Sequence, residues 1–297
     1  MPLTVKYQIL AESKFDYPFR IFISGSSQSG KTYFARELLE NDKIFNGKIS
    51  EVHYYHPDYL SDRPVAWHTS LSVPVTYQSG IPNLNDLCKI EKHSCIILDD
   101  LYEECINSQA IDYLFRVLSG KKMLSVIIMS QRYFAHGKFG MNIRNNCNFT
   151  VLMRNSDGRV NSRVAAILNQ KTAITRAIED TYANNYYPYI YVDSSPRGQV
   201  SGYRVYTNIF GKYHEVYDTN GMKSYVIAEK DFLEFFSITN NKTAEIKNGG
   251  NTEETIRRKS ETSSAASESD TDSWNRIREK IKQRRKLREQ RRFRKNL

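Results

Sequence analysis

Eight residues near the start of the chain have the types and the spacing of a phosphate-binding loop. They fit the pattern Gly-x-x-x-x-Gly-Lys-[Ser/Thr] and are Gly25, Ser26, Ser27, Gln28, Ser29, Gly30, Lys31 and Thr32. The glycines let backbone N–H groups turn toward phosphate oxygens, Lys31 would reach the β- and γ-phosphates, and the Thr32 hydroxyl would ligate Mg²⁺. The pattern therefore predicts a site for a nucleoside triphosphate, with ATP and Mg²⁺ as the expected ligands.

The elements on either side of this loop are those that the motif requires. Phe19–Ser24 is rich in β-forming residues and is predicted to be a buried strand, whereas Tyr33–Glu40 has apolar residues at helical spacing. The helix would direct its positive dipole end at the bound phosphates. The alternative is a glycine- and serine-rich turn with an unrelated lysine, and such a turn needs neither flanking element.

Two adjacent acids form the second group of candidate site residues. They are Asp99 and Asp100, at the end of the predicted strand His93–Asp100. Asp99 would hold the Mg²⁺ shell, and Asp100 stands where many phosphate-loop hydrolases place a glutamate that polarises the attacking water. An aspartate has a shorter reach than a glutamate, and the alternative for the pair is an acidic helix cap.

A glutamine ends the next predicted strand, Leu124–Ser130. If that strand lies between the phosphate-loop strand and the Asp99 strand, Gln131 points at the γ-phosphate, where it can sense the phosphate or orient water. Strand order cannot be derived from a sequence, so the alternative stays open that Gln131 is a polar residue at a strand end, exposed to solvent. A polar residue here favours hydrolysis coupled to motion over a nucleoside kinase.

Strands and helices alternate over the first two thirds of the chain, which predicts an α/β fold with a mostly parallel central sheet flanked by helices. Together with the phosphate loop, this alternation predicts a P-loop NTPase of the ASCE, RecA-like type. Further strands are expected at Ser50–His56, Val73–Tyr77 and Asn148–Met153, and helices at Ser108–Leu118 and after Ser162. Two tyrosine-rich runs, Tyr187–Asp193 and Tyr203–Phe210, resemble a hairpin added at one edge of the sheet.

The formal net charge of +10 lies entirely in the last residues of the chain. Residues Asn275–Leu297 contain twelve Lys and Arg against two Glu, so the rest of the chain is formally neutral. We therefore predict three parts: an ATPase domain with its hairpin over 1–237, a flexible Ser/Thr- and acid-rich linker over 238–273, and a basic tail over 274–297. Trp274, Ile277 and Ile281 give the tail the spacing of a helical start.

The basic tail has several alternative roles. It could neutralise DNA phosphates without reading sequence, it could be a nuclear import address, or it could dock on an acidic partner such as a capsid vertex. DNA contact and nuclear import are compatible with each other. A solubilising tail is the remaining alternative.

Composition excludes several other classes of protein. Hydrophobic residues make up 40% of the chain, enough for a core, and the longest apolar runs are the length of a strand rather than of a membrane span. Met1–Ile9 has no signal-peptide core, so a cytosolic or nuclear protein is expected. The four cysteines are Cys88, Cys95, Cys105 and Cys147, and they contain no C-x-x-C pair. They are expected to be reduced thiols that pack in the core rather than disulfides. The alternative is a zinc site that they form with His53 or His56.

Five segments of the sequence together match the pattern of one family: Ile23–Thr32, Ile96–Leu101, Leu114–Phe134, Arg144–Asn155 and Tyr187–Phe210. On these segments the chain resembles viral genome-packaging ATPases of the FtsK/HerA superfamily, specifically the poxvirus-type and Polinton-like packaging ATPases. The resemblance covers about residues 18–217. It departs from the family pattern at Lys121-Lys122, where relatives often carry histidines, and at Arg132, where an asparagine is usual.

This resemblance implies a homo-oligomeric ring around double-stranded DNA, which each subunit helps to drive into a viral capsid. It also implies an arginine finger supplied in trans to the neighbouring subunit, for which Arg144, Arg154 and Arg159 are the candidates. Capsid proteins would be partners, no membrane is involved, and the protein would reside in the virion or in the host nucleus or cytoplasm.

Three other functions stay open at this point. Another nucleic-acid motor of the same fold, such as a helicase or a DNA pump, would carry the same loop and acids. A nucleotide-binding switch or scaffold would bind without useful turnover. A nucleoside kinase is the least favoured, because the sequence has no Arg-rich lid and the kinase would leave the basic tail unexplained.

Overall fold

The computed structural model describes residues 7–10, 15–57, 70–183, 185–195 and 203–228. The predicted linker and basic tail, residues 238–297, and the predicted domain boundary at 237 lie outside these ranges. Six strands are parallel to one another: Arg20–Ser24 (β2), Val52–His56 (β3), Val75–Ser79 (β4), Cys95–Asp99 (β5), Ser125–Ser130 (β6) and Phe149–Met153 (β7). They form one side of a single sheet in the order β4-β3-β5-β6-β2-β7, with β4 as the edge strand.

This order identifies the fold. The phosphate-loop strand β2 lies between β6 and β7, and β6 is inserted between β2 and the Asp99 strand β5. That insertion is the additional strand of the ASCE, RecA-like class of P-loop NTPases, so the predicted fold class is confirmed. All six predicted strands of this part are present, and their ends differ from the predicted ends by at most two residues.

Helices cover both faces of the sheet, as near-continuous apolar strands require. Phe22 and Ile96 pack in one buried cluster, and their sheet neighbours Ile21 and Ile97 pack in a second cluster on the opposite face. The helices are Lys31–Glu40 (α1), Leu84–Lys89 (α2), Tyr102–Cys105 (α3), Gln109–Tyr113 (α4), Ser119–Lys122 (α5), Gly140–Asn146 (α6), Gly158–Ile167 (α7) and Lys171–Tyr182 (α8). A short 3-10 turn, Asp42–Ile44, follows α1.

The predicted helix Ser108–Leu118 is present in a modified form. Helix α4 changes at Leu114 into a π-helical turn, Leu114–Leu118, which leads directly into α5. The apolar face that predicted this helix is buried, as Ile111, Leu114 and Phe115 are fully enclosed. The spacing of apolar residues at a helical period of 3.6 contains no signal for the extra residue of a π turn, so the sequence pattern could not predict this turn.

The sheet continues past β7 as an antiparallel extension. The predicted hairpin is confirmed in its pairing, because β8 (Tyr189–Asp193) and β9 (Tyr203–Tyr206) are antiparallel neighbours. Its predicted position at an edge is wrong, because β8 pairs with β7 and three further strands follow β9. They are β10 (Tyr213–Asp218), β11 (Lys223–Ala228) and β1 (Tyr7–Leu10), the last parallel to β11.

In the part of the chain that the structure describes, no helix has the length and apolar character needed to cross a membrane. The four cysteines are free; Cys95, Cys105 and Cys147 are buried and Cys88 is exposed. Burial raises the pKa of the Cys147 thiol to about 12, and that of Cys95 still further. These three thiols therefore serve as apolar packing groups.

Candidate nucleotide site

The phosphate loop connects the end of β2 to the first residue of α1. Gly30, the residue before α1, has φ +94°, and Gln28 has φ +60°, so the loop turns through two left-handed residues. A Cβ on Gly25 would lie 2.5 Å from Ser29 Oγ and 2.8 Å from Met153 Cβ. The loop thus passes too close to its neighbours for any side chain at residue 25.

Hydrogen bonds hold the loop to both neighbouring strands. Gly25 N–H donates to Ser130 O at the end of β6 (3.2 Å), and Ser26 N–H donates to Arg154 O just after β7 (3.2 Å). The Ser26 hydroxyl donates to Asn155 Oδ1 (3.2 Å) and accepts from Ser156 N–H (2.7 Å). These bonds fix the entrance of the loop before a ligand arrives, which lowers the entropic cost of binding.

One buried donor beside the loop fits a bound anion. The Nδ2 atom of Asn155 is buried and has no hydrogen-bond partner among the described residues, while its Oδ1 is bonded to Ser26. A donor left in this way is costly unless something satisfies it. Together with the turned loop and the start of α1, it fits a phosphate-bearing ligand.

The Lys31 side chain bends back over the loop. Its Nζ donates to Gly25 O and to Ser26 O, both at 2.9 Å. Burial lowers the pKa of Lys31, while the negative charges of Asp99 and Asp100 act in the opposite direction. The ammonium group is therefore electrostatically coupled to both predicted acids, and it lies in the first turn of α1 next to Thr32.

Asp99 is the last residue of β5 and is held by a tyrosine from the adjacent strand. The hydroxyl of Tyr54, in β3, donates to Asp99 Oδ2. Burial raises the pKa of Asp99, and the bond from Tyr54 lowers it. The Thr32 hydroxyl and the Asp99 carboxylate are hard oxygen ligands, the kind that Mg²⁺ prefers, so these predicted residues fit the metal.

Asp100 and Gln131 meet at one cavity. The strand order on which the prediction for Gln131 depends is confirmed, because β6 lies between β2 and β5. Asp100 has φ +54° and donates its N–H to Met129 O (3.3 Å), so the chain turns sharply after β5. Asp100, Ser130 and Gln131 line a cavity of about 290 Å³. Two polar side chains that could orient water therefore lie together at the carboxyl ends of β5 and β6, and the bond from Gly25 N–H to Ser130 O joins the loop to this end of β6.

The three candidate arginines lie in or next to different elements and have partners in their own chain. Arg144, in α6, is half-buried and donates to Tyr102 Oη (2.6 Å) and Tyr133 O (3.1 Å). Arg154 is exposed and donates to the Tyr182 carbonyl. Arg159 is exposed and forms an ion pair with Asp157 (3.1 Å). Which of them acts in trans stays a prediction.

Three features of the site were not expected from the sequence. Tyr54 carries no motif, and its partner Asp99 becomes a neighbour only through the pairing of β3 with β5. Asn155 and Ser156 follow β7 and bond to the loop from this neighbouring strand. Tyr187, placed by the sequence inside a strand, precedes β8 and contacts the loop at Gly30. The paired tyrosines 186 and 187 were the visible signal for this last contact.

Comparison with known proteins gives remote structural similarity only. No protein-family model matches the chain, and no curated protein does. Among solved structures, the genome packaging NTPase B204 of Sulfolobus turreted icosahedral virus 2, in complex with ATP-gammaS, is 15% identical with a TM-score of 0.40, covering 59% of this chain and 92% of that one.

Two further solved structures have sequence identities of 15% or less and TM-scores below 0.40. B204, the DNA-packaging ATPase from Sulfolobus turreted icosahedral virus, is 15% identical with a TM-score of 0.39, covering 62% and 94% of the two chains. The ATPase DotB from Legionella pneumophila is 14% identical with a TM-score of 0.28, covering 48% and 42%.

Proposed function

We propose that the protein is an ATP-hydrolysing motor that translocates double-stranded DNA into a viral capsid. The observation that carries the proposal is the convergence of the phosphate loop, Asp99-Asp100 and Gln131 at the carboxyl ends of three adjacent parallel strands, β2, β5 and β6. In open α/β sheets, ligands bind at this end of the strands.

Each residue would have a distinct role in hydrolysis. Lys31 would exchange the carbonyls of Gly25 and Ser26 for phosphate oxygens, and the loop N–H groups would hold the phosphates in place. Thr32 and Asp99 would hold Mg²⁺, which neutralises charge that develops on the phosphates. Asp100 would accept a proton from the attacking water, and Gln131 would orient that water.

The resemblance to packaging ATPases supports the larger part of the proposal. It implies a ring of identical subunits, an arginine supplied by the neighbouring subunit, and capsid proteins as partners. The twelve basic residues of the tail support contact with DNA, since Lys and Arg that neutralise phosphates bind any sequence.

The proposal is tested by ATP hydrolysis with and without double-stranded DNA. We expect DNA to stimulate hydrolysis by the full chain, and we expect Lys31→Ala and Gln131→Ala each to lower kcat about a hundredfold or more, as loss of one group that stabilises the transition state does. Lys121→Ala is the matched control, because this exposed lysine lies in α5, before β6 rather than after it.

Other outcomes would favour the alternatives. Strand separation coupled to hydrolysis would indicate a helicase. Nucleotide binding without turnover, with DNA and without it, would favour a switch or scaffold and would contradict the proposed motor.

A further inference from the structure

Three exposed tyrosines are grouped beside the phosphate loop. We call them the tyrosine rim: Tyr33, Tyr186 and Tyr187, with exposed fractions of 56%, 85% and 40%. The rings of Tyr33 and Tyr187 are 5.5 Å apart, and those of Tyr186 and Tyr187 are 4.6 Å apart. Only seven large apolar or aromatic side chains of the described residues are exposed, and three of them form this rim. Such a grouping is typical of a binding surface.

The rim touches the phosphate loop directly. A Cβ on Gly30 would lie 2.7 Å from Cδ1 of Tyr187, so the ring occupies the space that the glycine leaves free. A cavity of about 660 Å³ opens beside it, lined by Gln28 and Ser29 of the loop, by Arg154 and Asn185, and by Tyr186 and Tyr187. The cavity is therefore continuous with the loop that would hold the phosphates.

The cavity lies on the other side of the loop from the hydrolytic residues. Arg154 follows β7, and Asp100 and Gln131 follow β5 and β6; β7 and β6 flank β2 on opposite sides. If the γ-phosphate lies toward Asp100 and Gln131, the rest of the nucleotide extends toward β7. The tyrosine rim stands where the nucleoside end would emerge.

We propose that the tyrosine rim, with the cavity beside it, binds the base of the nucleoside triphosphate by stacking. This inference rests on the proposed function, because it presumes that the loop holds a triphosphate. Exposed aromatic rings offer a face to any base, and each base stack contributes substantially to affinity.

The polar groups of the cavity favour recognition by the face of the base rather than by its edge. The guanidinium of Arg154 donates to Tyr182 O, and Asn185 Nδ2 donates to Thr181 O (3.2 Å), so both side chains are already bonded to the end of α8. Stacking alone discriminates weakly between bases. We therefore expect ATP and GTP to bind with affinities within about fivefold of each other, because a stacked base is held by its face, which both purines present.

The test is calorimetric titration of the full chain with Mg-ATP and with Mg-tripolyphosphate, which has the phosphates without the base. We expect Tyr186→Leu and Tyr187→Leu to weaken ATP binding about tenfold, with tripolyphosphate affinity changed less than twofold. Tyr187→Phe, which keeps the ring, should retain wild-type ATP affinity. Tyr213→Leu is the matched control, because it disrupts a similar ring pair with Tyr225 on distant strands.

The outcomes separate this site from the proposed function. Equal loss of ATP and tripolyphosphate binding in both leucine variants would overturn base stacking and indicate that the rim only supports the loop. A wild-type chain that binds tripolyphosphate as tightly as ATP would overturn the base site alone. A wild-type chain that binds neither ligand would overturn the proposed function as well.

Discussion

The hydroxyl of Tyr54 donates a hydrogen bond to Oδ2 of Asp99, from the strand next to the one that Asp99 ends. Tyr54 is fully buried, so its ring is fixed by packing and the carboxylate has one preferred orientation. With one oxygen bonded to the tyrosine, the carboxylate presents the other to a ligand. A partner of this kind positions a metal ligand without touching the metal.

Removing this hydroxyl should raise the Mg²⁺ requirement. We expect Tyr54→Phe to increase the half-saturating Mg²⁺ concentration of ATP hydrolysis about tenfold, since loss of such a partner costs roughly 10- to 100-fold in metal affinity. Tyr55→Phe is the control, because Tyr55 is the next residue of β3 and packs in the cluster on the opposite face. The same increase in both variants would contradict a specific role for Tyr54.

The same variant should shift the pH dependence of activity. Burial holds the pKa of Asp99 above its usual value, and the bond from Tyr54 lowers it. Loss of that bond raises the pKa of Asp99 further, so more of the carboxyl is protonated at a given acidic pH and fewer molecules bind metal. The acid limb of kcat/KM should therefore move to higher pH in Tyr54→Phe. An unmoved limb would mean that another group controls it.

A methyl group at residue 25 should displace the phosphate loop. Gly25→Ala places a Cβ against Ser29 and Met153, so the backbone must shift, and we expect ATP affinity to fall at least about tenfold. Gly158→Ala in the first turn of α7 meets nothing within 4 Å. That control should keep its ATP affinity and gain slightly in Tm, because alanine favours the helix. Unchanged ATP affinity in Gly25→Ala would show that the loop tolerates the shift.

An arginine that acts in trans can be detected by mixing subunits. If Arg144 completes the neighbouring site, Arg144→Ala and Gln131→Ala are each inactive, but a mixture forms interfaces that have both residues. We expect the mixture to regain part of the wild-type ATPase activity. Arg176→Ala, an exposed arginine of α8, is the control for surface charge. If the mixture is no more active in ATP hydrolysis than either variant alone, Arg144 acts within its own chain, through its hydrogen bonds to Tyr102 and Tyr133.

The basic tail should determine how DNA binding responds to salt. The logarithm of affinity falls with the logarithm of salt concentration by about 0.9 for each phosphate neutralised. A chain shortened to Ile238 should therefore bind double-stranded DNA more weakly and with a shallower salt slope than the full chain, measured by fluorescence anisotropy. Equal slopes would place the DNA contacts within residues 1–238.

The elements that carry the motif could be predicted because their signals are local. Each of these signals lies within ten residues of sequence. They are the apolar runs of β2, β5 and β6 and the loop before α1. Strands β10 and β11 were missed because charged residues interrupt them; Glu215 and Lys223 form an ion pair across these two strands (2.9 Å). The contact of Tyr54 with Asp99 depends on strand order, which no local pattern contains.

Strand β11 lies five positions from β2 in the sheet, and the four antiparallel pairings from β7 to β11 make β11 run in the same direction as β2. Ala228, the last residue of β11, therefore lies at the same end of the strands as the phosphate loop. Its distance from the end of β2 is roughly 24 Å, at about 4.8 Å per strand. A fluorophore attached just after Ala228 would be within energy-transfer range of a labelled nucleotide. Binding and release could then be followed in real time without placing any probe in the site itself.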